Sequence, residues 1–172
     1  MKRKIVVALM ILICFLLQCT VFKAFAFGGI VPNLMIILTS SFGFMKGRKH
    51  GLMIGFFSGL LIDIFFGEVI GFYSLIYMYI GYGNGIFNKI FYPEDIKLPL
   101  ALISGSEMIY GFTSYFLLFL LRSRFQFPYY FVHIILPEIV YTLVITMILY
   151  PLILLINQKL EKSEQRSAKK FV

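Results

Sequence analysis

The chain has 172 residues, of which 60% are hydrophobic and only 14% charged, and it carries a net charge of +8. A soluble domain has about 25% charged residues, so the composition excludes a soluble enzyme and describes an integral membrane protein. The apolar stretches, at about residues 5–22, 30–45, 50–67, 69–91, 98–121 and 132–156, predict an all-α domain of six transmembrane helices over residues 1–156. A short basic tail, residues 157–172, is expected to fray. A helix needs about 20 apolar residues to cross the hydrocarbon core. The second and third stretches are short and must rely on tilt or on neighbouring protein.

Excess positive charge suits nucleic acid as well as a membrane, but here the basic residues sort by side. With the amino terminus in the cytoplasm, Lys2, Arg3, Lys4, Lys46, Arg48, Lys49, Lys89, Lys97, Lys159, Lys162, Arg166, Lys169 and Lys170 fall inside. Only Lys23, Arg122 and Arg124 fall outside. That asymmetry obeys the positive-inside rule and predicts a multi-pass plasma-membrane protein with both termini cytoplasmic. No nucleic-acid partner is expected. Lys46, Arg48 and Lys49, in the first inner turn, are candidate contacts to anionic lipid or cytoplasmic partners.

The first span begins after Lys2–Lys4 and ends near Ala24-Phe25-Ala26, a pattern that also resembles a secretory signal with its cleavage site. An uncleaved anchor fits better, because the segment supplies a first partner helix. Cys14 and Cys19 lie five residues apart on it, about 140° around a helix axis, and cannot bridge each other. Neither they nor the histidines form a cluster that suggests a metal, and no cofactor is predicted. The second helix is expected to begin near Pro32, since proline suits a first helical turn.

Every fourth residue through the centre then forms a ladder: Gly43, Gly47, Gly51, Gly55, Gly59, Asp63, Gly67 and Gly71. Within the third span, Gly51, Gly55, Gly59 and Asp63 make a small-residue stripe that ends in a carboxylate. Small residues let helix backbones approach closely. The fourth span carries a second close-packing face at Gly71, Ser74, Met78, Gly81 and Gly85. The glycines of Gly81-Tyr82-Gly83-Asn84-Gly85 are expected to loosen its inner half. In the fifth span, Ser104, Glu107, Gly111 and Ser114 share one face beside Tyr110. The sixth contains His133, Pro137, Glu138, Tyr141 and Thr142, with a kink expected at Pro137.

An ionisable group at membrane depth is costly and marks a partner, a cavity or a tight packing role. At about 1.5 Å per residue, Asp63 and Glu138 fall in one outer layer and Glu107 near the midplane. Glu107, Glu138 and Tyr141 are therefore candidate intramembrane polar sites. Catalysis fits poorly. Ser58 lacks a neighbouring base, Asp63 has no second aspartate to share a proton, and no phosphate-binding glycine loop is present.

The order Pro32-Asn33-Leu34, then Lys46-Gly47-Arg48, then Gly51-x-x-x-Gly55-x-x-x-Gly59-Leu60-Leu61-Ile62-Asp63, then Gly71-Phe72 and Ile80-Gly81-Tyr82 resembles the family of the rod shape-determining protein MreD. That resemblance implies a non-catalytic membrane scaffold of the bacterial cell-elongation machinery, which synthesises peptidoglycan. Its direct partner would be MreC, and through MreC it would be tied to MreB, RodA and a class B penicillin-binding protein. Gly51, Gly55, Gly59 and Asp63 would then receive a partner's transmembrane helix or pair two copies of the chain as a homodimer. A second reading is the substrate-binding subunit of an energy-coupling vitamin transporter, whose six-helix fold the family is thought to share. Asp63, Glu138 and Tyr141 would then be its ligand contacts.

Overall fold

A computed structural model describes residues 2–26, 28–67, 69–93, 95–116 and 127–169. The elements in these residues are helical: α1 (Lys2–Cys19), α2 (Val21–Ala24), α3 (Leu34–Lys46), α4 (Arg48–Phe66), α5 (Phe72–Asn84), α6 (Lys97–Tyr115), α7 (Phe127–Tyr130) and α8 (Leu136–Lys169). A 3-10 turn, Gly85–Ile90, continues α5, and a π-helical turn, Phe131–Ile135, joins α7 to α8. Glu68, Glu94, Arg122 and Arg124 lie outside the described residues.

The centre of the fold is α3. Its residues Leu34 to Met45 are all buried, against α1, α4, α5, α6 and α8. Its 13 residues span about 20 Å, short of the roughly 30 Å hydrocarbon core. The sequence leaves the choice between tilt and neighbouring protein open, and the structure supplies protein on every side. The helix begins two residues after Pro32, because the Asn33 side chain accepts the Ile36 N–H at 3.2 Å and acts as the N-cap. It ends at Gly47, whose φ of +88° lets the chain reverse into α4 within one residue.

Three helical stretches are long and apolar enough to cross a membrane: Arg3–Ala24, Arg48–Phe66 and Pro128–Arg166. Leu34–Lys46 is a shorter apolar helix. The remaining two of the six expected segments appear as helices α5 and α6. The first is short, because α-helical geometry stops at Asn84 and tightens into the 3-10 turn within the glycine-rich stretch. The second carries buried Ser106, Glu107 and Ser114 on its inward side.

Two expectations about the last helix need correction. The departure from α-helical geometry lies before Pro137 rather than at it, with the Leu136 N–H reaching back five residues to the Phe131 carbonyl. Proline supplies no N–H and crowds the preceding turn, and the wider π turn accommodates it. The tail does not fray at Asn157 but continues as helix to Lys169. Asn157, Glu161 and Glu164 share one helical face, and each finds a partner. Arg3 donates to the Glu164 carboxylate at 2.9 Å and to the Asn157 side-chain oxygen at 3.1 Å. Lys46 pairs with Glu161.

Candidate functional site

The glycine stripe of α4 is occupied from within the chain. A Cβ at Gly51 would collide with the carbonyl of Gly81, and one at Gly55 with the carbonyl of Tyr77. At Gly59 it would stand 2.5 Å from the Cα of Ser74. The pairs 51/81, 55/77 and 59/74 hold a nearly constant sum, as antiparallel helices require. The two small-residue faces legible in the sequence therefore meet each other. Gly51, Gly55 and Gly59 are not left free to receive another protein's helix.

Asp63 completes that contact. It is 1% exposed and accepts the backbone N–H groups of Gly71, Tyr73 and Ser74 at 3.0, 2.8 and 2.9 Å, and the Ser74 hydroxyl at 2.5 Å. A carboxylate at a helix N-terminus meets unpaired donors and the positive end of the macrodipole. Gly71, at φ +101°, brings the chain into that position as the N-cap of α5. Asp63 is thus committed to holding α5 on α4 rather than to a partner or ligand.

A second polar cluster lies where α3, α5, α6 and α8 converge. The Tyr77 hydroxyl donates to Asn33 Oδ1 at 2.8 Å, and the Asn33 N–H donates to the Thr142 hydroxyl at 3.0 Å. Tyr110 packs edge-on against Tyr77, with ring centroids 5.5 Å apart. The carboxyls of Glu107 and Glu138 adjoin one another here, with Asn33 beside Glu107. Packing fixes this meeting independently, since a Cβ at Gly111 of α6 would touch Ile135. One turn back along α6 and one turn on along α8 bring Glu107 opposite Glu138. Glu107 is 2% exposed, and neither of its oxygens has a hydrogen-bond partner.

The predicted polar residues thus separate. Glu107 joins Glu138 rather than standing apart at the midplane, and Asp63 belongs to the α4–α5 contact. Tyr141 donates its hydroxyl to the Phe25 carbonyl at 3.3 Å, so the three ligand contacts of the transporter reading have separate partners. Asn33 and Tyr77 were not singled out as site residues by the sequence. An asparagine just after proline, at the start of an apolar run, was the available signal for the first; Tyr77 is hidden among eleven tyrosines. A further polar layer also escaped notice: Asn84 donates to the hydroxyls of Ser40 and Ser106 at 3.3 and 2.7 Å. Ser58 is fully buried, and its hydroxyl has no hydrogen-bond partner.

At the basic end, Lys46 is engaged by Glu161, while Arg48 and Lys49 stay exposed. The Arg48 guanidinium lies 5.7 Å from the centre of the Tyr82 ring. Among the described residues there is no group of three or more His, Cys, Asp or Glu side chains able to hold a metal ion.

The family model of the rod shape-determining protein MreD matches residues 1–160, nearly the whole chain. The chain belongs to the MreD family. No curated protein and no solved structure matches it. The residues that carried the likeness now have physical roles in this MreD-family fold. Asn33 caps α3, Gly47 turns the chain, Gly51 to Gly59 admit α5, and Asp63 anchors the start of α5.

Proposed function

We propose that this chain is a non-catalytic membrane scaffold of the bacterial cell-elongation machinery, with MreC as its direct partner. MreB, RodA and a class B penicillin-binding protein are reached through MreC. Membership of a rod shape-determining family carries this reading. The chain crosses the membrane six times with both termini in the cytoplasm, as the distribution of basic residues favours. Arg48 and Lys49, exposed at the basic end, meet anionic headgroups.

The small-residue face available to a partner lies away from the α4 stripe. Gly83 and Gly105 are helical positions at which an added Cβ would meet nothing within 4 Å. Asn84 and Ser106 are hydrogen-bonded across α5 and α6. Each glycine is one residue earlier on antiparallel helices, so both lie on the same side of this pair. Exposed Tyr79, Tyr82, Met108 and Phe112 belong to the same two helices. That face is the seat of the single MreC transmembrane helix, because small residues allow close approach without disturbing the fold.

The test compares MreC recovered from gently solubilised membranes with Gly105→Leu, Gly83→Leu and Gly55→Leu. The first two should accumulate normally and lose MreC, whereas Gly55→Leu should reduce the amount of folded protein. Undiminished recovery of MreC with both open-face variants would remove the face from consideration. Recovery of a membrane coupling protein and ATPases in place of MreC would sink the scaffold reading.

A further inference from the structure

We propose that Glu107 and Glu138 together bind a small alkali cation, Na+ or K+, between α6 and α8. Two carboxyls side by side within a helix bundle repel when both are ionised, and a positive charge between them removes that cost. Neither ion pair of the described residues involves them: Arg3 goes to Glu164 and Lys46 to Glu161. Glu107 is nine-tenths enclosed or more, and both of its oxygens lack a hydrogen-bond partner, although buried polar atoms are almost always satisfied. It is therefore an unfilled set of acceptors aimed at a second carboxyl.

The surroundings narrow the ligand. Asn33 Oδ1 already accepts from Tyr77 and Ile36, so the Asn33 side chain turns its donor end toward Glu107. Donation from Asn33 favours the ionised carboxyl over the neutral one. The donors available to a ligand are hard oxygens, which suit alkali and alkaline-earth ions rather than zinc or copper. Ca2+ takes six to eight oxygen ligands, and Mg2+ keeps several waters. Two carboxyls in a nearly closed site match neither demand. A monovalent ion needs less charge and fits the enclosure of Glu107 better than an organic amine does.

The experiment uses the full chain, purified in detergent with whatever partner accompanies it, and follows helix loss by circular dichroism during heating. Ionic strength and pH are held constant while choline chloride is replaced by NaCl or by KCl. The expected result is a saturable rise in Tm with one or both alkali ions over choline, the more effective ion identifying the ligand. Glu107→Gln and Glu138→Gln should each abolish the rise. Equal melting in all three salts overturns the proposal and leaves a pair neutralised by protons alone. A rise that survives in both variants places the ion elsewhere and also overturns it. If the variants do not accumulate, proton competition on the unaltered chain decides. Carboxylates must lose their protons to bind a cation, so the midpoint for the ion should climb as pH falls, and a midpoint indifferent to pH rejects the site.

Discussion

Tyr77 donates its hydroxyl to the side chain of Asn33 across 2.8 Å of buried interior. The bond joins the start of α3 to the middle of α5, one turn from the closest backbone contacts of the bundle. Asn33 Oδ1 also caps α3 through the Ile36 N–H, so one oxygen serves both the helix end and the helix pair.

Tyr77→Phe removes one of the two donors to that oxygen without opening a cavity. A typical buried hydrogen bond is worth about 1 kcal/mol, and the variant should be destabilised by about that amount. Asn33→Ala should cost more, about 2 kcal/mol, because it also removes the cap. Thermal melts of the two single variants and the double variant would measure the coupling. Strict additivity would show that cap and tyrosine act separately.

Asp63→Asn keeps the shape of the side chain and removes the charge. Three backbone donors and one hydroxyl then face a neutral amide, half of which is itself a donor. Charge-assisted hydrogen bonds are worth about 1.5–3 kcal/mol, so a loss of at least 2 kcal/mol, roughly, is expected. Hydrogen exchange should speed up first at Gly71, Tyr73 and Ser74. Uniform acceleration along the chain would point instead to global loosening.

Gly51→Ala and Gly83→Ala make the same chemical change on opposite kinds of surface. The first adds a methyl group against the Gly81 carbonyl, and overpacking of this kind costs about 1–3 kcal/mol. The second adds it to open space, where helix propensity favours alanine by roughly 0.5–1 kcal/mol. Opposite signs in the two Tm shifts are therefore expected. Like signs would mean that the α4–α5 contact is not the tight one.

Much of this was legible before any coordinates. A small residue at every fourth position announced that a backbone comes close, and it does. The pattern carries no label for whose backbone that is, and the nearest answer was the next helix in the chain. The small faces of α4 and α5 were both visible, and matching them in antiparallel register would have paired 51 with 81 and 59 with 74. Glu107 was harder to place. Rise per residue gives depth along an axis but no rotation, and the meeting with Glu138 depends on α6 turning Gly111 toward Ile135. The tail was misread because charge alone suggests fraying, while Asn157, Glu161 and Glu164 were already spaced for one helical face.

Lys46→Gln should release one of the two ionic ties on the extended end of α8. The Glu161 side chain is 41% exposed and that of Lys46 16%, so the pair is worth about 0.2–1 kcal/mol. Overall melting should barely change, whereas hydrogen exchange over residues 157–169 should quicken and approach the unaltered chain's rate at high salt. No change in exchange would show that Arg3 alone fastens the segment.

The enclosure of α3 also constrains the order of assembly. Part of its covering is α8, through Thr142 on Asn33 and Tyr150, whose ring centroid lies 6.1 Å from that of Phe44, and those residues are synthesised about a hundred positions later. Until they arrive, one flank of a helix too short to span the bilayer has no permanent neighbour. The α4–α5 hairpin, closed by a short connection, can form early and hold α3 in place meanwhile. A chain cut before α8 would thus lose more than its last span, because the helix left uncovered would be the one at the middle.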